Sequence, residues 1–226
     1  DSNRYAYICP VNLSANSLGF GKIYQGNTNV GFISVYALSD SEVVACTFDG
    51  YLVKFNSSLD IVWQRRLALT SGFVSYSSVT IDSENSDVYV CGTTTDQYGQ
   101  IRGLIAKYNS SGTLQFQRKV QCNGSIYLNG IKIKGSSMYI AASDQNTSTN
   151  YGASLLINLP KDGSKIGSYA LGSQSFVYSD NVLTASTPTF STATPAAPPS
   201  NASGATNTDA GLAETTTTNT SSKATV

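Results

Sequence analysis

The densest cluster of reactive side chains is the run Asp82-Ser-Glu84-Asn-Ser-Asp87, whose oxygens have the chemistry of a calcium loop. The sixth loop position, which needs Gly, is Asp87, and the twelfth, which needs Glu, is Thr93, so the run is not an EF-hand. Histidine is absent, which removes Ser-His-Asp and Cys-His catalysis, His-zinc sites and the commonest general base. Carboxylate pairs remain, but Asp40, Asp49, Asp82, Asp87, Asp144 and Asp162 sit mostly in turn contexts such as Asp49-Gly50 and Asp162-Gly163, where Asp serves the backbone. Four cysteines, Cys9, Cys46, Cys91 and Cys122, lack metal-ligand spacing. No catalytic, cofactor-binding or metal-binding residue is assigned, no cofactor is expected, and the residues that contact a ligand or receptor are unknown from the sequence.

The elements that carry these residues declare themselves through a repeat. Lys54 to Leu67 (KFNSSLDIVWQRRL) matches Lys107 to Val120 (KYNSSGTLQFQRKV) without a gap, with six of fourteen positions identical. Within it Ile61, Trp63, Arg65 and Leu67 alternate with Val62, Gln64 and Arg66, the period of a half-buried strand. Asn-Ser-Ser before the strand supplies turn chemistry, which makes a hairpin with the preceding segment. Upstream, Val43-Val44-Ala45-Cys46 aligns with Val88-Tyr89-Val90-Cys91 and with Met138-Tyr139-Ile140-Ala141. Cys46 and Cys91 therefore share a position with Ala141, which marks them as small core residues, buried, reduced and unpaired. Phe32 to Leu38, Ser77 to Ile81 and Leu128 to Ile133 add one further strand to each unit.

Four strands in series at this spacing predict an all-β chain: a β-propeller of four-stranded antiparallel blades. Three full blades fall at about 30–72, 73–125 and 126–175, with partial blades at the ends. Tyr5 to Gln25 reads as the last two strands of a blade, and Phe176 to Thr184, similar to Phe73 to Ile81, as the opening strand of another. The ends thus belong to a longer product or share one blade, and a start at Asp1 fits a fragment or processed chain. The expected division is a propeller region, 1–184, and a Ser/Thr/Ala/Pro-rich extended tail, 185–226. The tail's 42 residues hold 12 Thr, 9 Ala, 6 Ser and 4 Pro, too little apolar surface to offset its backbone entropy alone. It is expected to lie along another chain, so that its removal leaves the propeller folded and abolishes assembly.

Charge narrows the partners. Lys+Arg and Asp+Glu are both 14, and such balance gives no reason to expect nucleic-acid binding. Arg65, Arg66, Arg118 and Lys119 read as solvated edge charges that discourage strand aggregation. No apolar run is long enough to span a bilayer, so no membrane insertion is expected. Asn12, Asn56, Asn109, Asn123, Asn146, Asn201 and Asn219 head sequons, those at 56 and 109 already explained as hairpin turns.

The strand YVCGTT followed by GLIAKYNSSGTLQFQRKV resembles propeller repeats of bacterial surface proteins and of virion structural proteins of tailed phages. The tail, NVLTASTPTFSTATPAAPPSNASG to TTTTNTSSKATV, resembles the low-complexity C-terminal regions of virion proteins of marine phages. The resemblance implies a non-enzymatic structural protein of a tailed, marine-type bacteriophage virion: tail, nozzle, fibre or capsid appendage. Its partners would be other virion proteins or copies of itself, contacted largely through 185–226, and a host surface receptor. The alternative is a bacterial cell-surface or secreted propeller that binds glycan or protein, with Tyr98, Tyr127 and Tyr151 stacking on sugars. A quinoprotein-type enzyme is suggested only by Trp63 after Gly-Tyr-Leu-x-x-Phe-Asn, a pattern that blade packing also produces.

Overall fold

A computed structural model describes residues 6–8, 11–12, 17–18, 22–25, 31–39, 42–146, 151–171, 174–188 and 191–193. These residues form antiparallel strands and turns, without a helix. Short strands come first: β1 (Ala6–Ile8), β2 (Val11–Asn12), β3 (Ser17–Leu18) and β4 (Lys22–Gln25). The first full sheet holds β5 (Phe32–Ser39), β6 (Glu42–Thr47), β7 (Tyr51–Phe55) and β8 (Ile61–Ala68). The second holds β9 (Gly72–Ile81), β10 (Val88–Asp96), β11 (Ile101–Tyr108) and β12 (Leu114–Gln121). The third holds β13 (Ser125–Lys134), β14 (Ser137–Asn146) and β15 (Tyr151–Pro160). Then come β16 (Gly167–Leu171), β17 (Gln174–Asp180), β18 (Thr184–Ser186) and β19 (Ser191–Ala193). No sheet among the described residues closes on itself.

The repeat seen in sequence is a repeat of backbone geometry. The Asn56 side chain accepts from the Ser58 and Asp60 amides at 2.9 and 2.8 Å, and Asn109 accepts from the Thr113 amide at 2.8 Å. Each Asn amide also closes the hairpin, onto Asp60 O at 3.0 Å and Thr113 O at 2.9 Å. The first strands of the three larger sheets, β5, β9 and β13, carry a bulge at the same place, at Ile33, Ser77 and Asn129, opposite Cys46, Cys91 and Ala141.

Alternation then stacks the sheets. The face of the first sheet carrying Val44, Cys46, Leu52 and Leu67 packs on Tyr76, Val79, Val90 and Leu104 of the second. The opposite face of the second sheet, with Tyr89, Cys91, Ile105 and Val120, packs on Ile126, Ile131, Met138 and Ile140 of the third. Tyr24 on β4 packs on Ala45, Tyr51, Val53 and Phe55, the remaining face of the first sheet. Both faces of the middle sheets are thus apolar, which is why β7 is buried at every residue.

Two expectations from sequence are corrected here. Among the described residues the third sheet has three strands, not four, and Phe176 does not open a new sheet. β16 pairs with β17, and β17 pairs with the outer edge of β12. From there the chain runs back, adding β18 to the outer edge of β8 and β19 to that of β4. Burial and side-chain bonding decide this path. Tyr178 and Leu183 are buried, Gln117 accepts from the Leu183 amide at 2.9 Å and donates to its carbonyl at 3.0 Å, and Asp180 pairs with Arg118 at 2.6 Å. This returning segment is called the strap below. Contacts divide the chain into Asp1–Ala193 and Thr194–Val226, and the latter lies outside the described residues.

Candidate functional site

The most heavily built places in the molecule are the joints between successive sheets. In the hairpin of the first full sheet, Leu59 has φ +59°; in that of the second, Gly112 has φ +79°; at the turn after β15, Gly163 has φ +75°. The carbonyl of each is gripped by the sheet before it. Tyr24 donates its hydroxyl to Leu59 O. Arg65 Nε donates to Gly112 O at 2.5 Å, and Arg118 Nε donates to Gly163 O at 2.9 Å. An aromatic ring lies close against each glycine: a Cβ at Gly112 would sit 2.8 Å from Trp63 Cδ2, and one at Gly163 2.8 Å from Phe116 Cε1. Glycine is needed there for its backbone angle and for the close approach of the ring. Trp63 also donates its indole N–H to Ser110 O at 3.0 Å.

Around these latches the charges are internally matched. Lys54 pairs with Glu42 at 2.9 Å and Lys107 with Asp87 at 2.7 Å, equivalent pairs in the first two full sheets. The Lys54 hydrogen bond holds the Glu42 carboxyl below its usual range against the opposing effect of burial. Lys161, in the turn after β15, reaches Asp82 at 2.8 Å and Glu84 at 2.6 Å, which raises its pKa, and Tyr89 donates its hydroxyl to Lys161 O at 3.0 Å. At the opposite edge, Ser34 Oγ accepts from the Val79 amide at 3.3 Å and Ser78 Oγ from the Ile131 amide at 3.4 Å. The third sheet carries none of these gripping residues: Gly130, Ser137 and Asn158 stand where the second has Ser78, Asp87 and Lys107.

The residues singled out from sequence fall as follows. Trp63 and Phe116 occupy the same position, opposite Lys54 and Lys107 in equivalent strand pairs, as the repeat predicts. Cys46 and Cys91 are buried and free, Cys122 is half-buried and free, and Cys9 lies outside the described residues. Burial pushes the Cys91 thiol up to about 12 and the Cys46 thiol higher. Of the run Asp82–Asp87, two carboxylates hold Lys161 and the third holds Lys107, and no group of three metal-ligating side chains occurs among the described residues. Asp162 caps its turn through the Ser164 amide at 2.8 Å. Asp144 is buried on β14 with Oδ1 unpartnered, and Asp40 lies outside the described residues. Tyr98 is 82% exposed at the tip of the β10–β11 turn, Tyr127 is half-buried on β13, and the side chain of Tyr151 is outside the described set.

Sequence reading missed the latches themselves. The signal was present: Gly112 and Gly163 each end a four-residue turn, and an aromatic-x-Arg pair recurs in the strand one sheet earlier. No known protein-family model matches the chain, and no curated protein matches it. No helix among the described residues is long and apolar enough to cross a membrane. The arrangement joins successive sheets through rings against glycines, guanidinium on carbonyl, and lysines paired with carboxylates.

Proposed function

We propose that the chain is a non-enzymatic structural protein of a tailed-phage virion, with propeller-type stacked sheets as a rigid body and the low-complexity tail as its tie to neighbouring subunits. The observation that carries this reading is the repeated joint. Three successive sheet contacts grip the same turn carbonyl, and a strap crosses three outer edges, which favours load-bearing over catalysis. Propeller-like succession is supported by the first and second full sheets, each of which uses one face for the sheet before and the other for the sheet after. A further sheet beyond the third would meet none of the gripping residues, so ring closure there runs through other contacts. The virion is the proposed location, with the bacterial surface or secretion as the alternative.

Truncation tests the assembly role, and the strap fixes where to cut. Thr184–Ser186 and Ser191–Ala193 complete sheets, so the cut belongs after Ala193 rather than after Thr184. The chain ending at Ala193 is expected to keep its far-ultraviolet spectrum and Trp63 emission while failing to enter particles. Normal particles from that chain remove the role given to the tail.

A second reading has its own observation. Phe48 and Phe73 are 57% and 40% exposed with ring centroids 5.2 Å apart, and Tyr98 stands in the equivalent turn of the next sheet. Such an exposed aromatic end suits a glycan- or protein-binding module.

A further inference from the structure

Each outer edge that the strap reaches is closed by an added strand; the edge of β15 is not one of these. β15 pairs with β14 at ten consecutive positions without a register shift, and no described strand takes its other edge. Protein edges are ordinarily blunted by charge, a bulge, an internal proline or shortness. β15 has none of these: ten residues, no Asp, Glu, Lys or Arg, and Pro160 only at its end. Leu156 on this strand is 77% exposed. Beside it runs a cleft of about 600 Å³, lined by β15, by Val120, Phe176 and Tyr178 of the neighbouring sheet, and by Lys165 and Tyr169.

The cleft adjoins the edge that β8 takes on β7 and β12 takes on β11. The turn leading into it has the same closing bond, Gly163 N–H to Pro160 O at 3.1 Å against Gly112 N–H to Asn109 O at 2.9 Å. At Lys165, with φ +65°, the chain departs and β16 joins β17 instead. An outer-strand position is therefore framed, and no described strand fills it.

We infer that the free edge of β15 and its cleft take an extended segment of a partner polypeptide as the fourth strand of the third sheet. Main-chain bonds to β15 supply the attachment, and alternate side chains enter the apolar cleft. Among the described lining residues Lys165 alone is charged, so the fitting segment is apolar at alternate positions and neutral or weakly acidic. The chain contains a pattern of this kind in Gln174–Asp180, which carries Phe176 and Tyr178 two apart with a single carboxylate and already serves as an edge strand on β12. The inference does not use the tail and is independent of the virion reading.

The test uses the full chain and a labelled peptide of sequence QSFVYSD, followed by fluorescence anisotropy, with hydrogen exchange read by mass spectrometry. Saturable one-to-one binding is expected, with new protection in 151–160. Methylating alternate peptide amides removes ladder donors and should weaken binding at least about tenfold. Leu156→Lys, at an exposed position, should weaken it comparably while leaving the melting curve in place. Four results overturn the inference: no saturable binding; equal binding of the methylated peptide; protection appearing on 118–121 instead; or a free chain that already protects the β15 edge through concentration-dependent pairing with a second copy.

Discussion

Gly112→Ala isolates the energy of one latch. The added methyl meets two costs of different origin. Gly112 has φ +79°, a left-handed angle that costs an L-residue about 1–2 kcal/mol. The new Cβ would also lie 2.8 Å from Trp63 Cδ2 and 3.0 Å from Arg65 Nη2. Overpacking of that kind adds about 1–3 kcal/mol, for a total of about 2–5 kcal/mol. Gly99 supplies the control, because its φ is +78° and its Cβ position has nothing within 4 Å. Gly99→Ala should therefore lose only the backbone share, about 1–2 kcal/mol. Urea titration reads both, and Trp63, the single tryptophan, reports the latch directly by its emission. With a slope of about 2–3 kcal/mol per molar urea, Gly112→Ala should lower the midpoint by about 1–2 M. In a Trp63→Ala background, followed by circular dichroism, the excess of Gly112→Ala over Gly99→Ala should shrink. Coincident midpoints for the two alanine variants, or an excess that survives without the indole, would refute the latch.

The remaining predictions concern the same joints and the core. Trp63→Ala should cost about 3–5 kcal/mol, since the ring is nearly buried, and Phe116→Ala less because its ring is only half-buried; equilibrium denaturation orders the two. Glu42 has its carboxyl pKa lowered in the folded state, so its contribution is present above the unfolded value of about 4.3 and fades as pH falls through the folded value. Glu42→Gln should thus lower stability at pH 7 and flatten the acid limb of a stability–pH curve; an unchanged limb removes the pair from the account. In a Cys9→Ser chain, a thiol reagent should modify Cys122 in the native state and reach Cys46 and Cys91 only after denaturant is added. Rapid native labelling of Cys46 or Cys91 contradicts their burial.

The sequence by itself determined the strands, the hairpin turns and the equivalence of the first two full units. Those features are local: alternation at period two and an Asn that bonds its own loop depend only on neighbours along the chain. It also exposed the lack of histidine and the turn contexts of the carboxylates, though not that Asp82, Glu84 and Asp87 are taken up by Lys161 and Lys107. Tertiary structure decided the rest. Phe176 to Asp180 reads as a strand in either place, and only the edge of β12, with Gln117 and Arg118 waiting on it, selects the strap over a new sheet. The latches are likewise invisible to local pattern, because Trp63 and Gly112 meet across 49 residues and their contact exists only once two sheets stack. Edge pairing satisfies the same backbone groups whichever strand supplies them, so the sequence fixes that a segment is extended, while side-chain burial and charge at the edge fix which strand it joins.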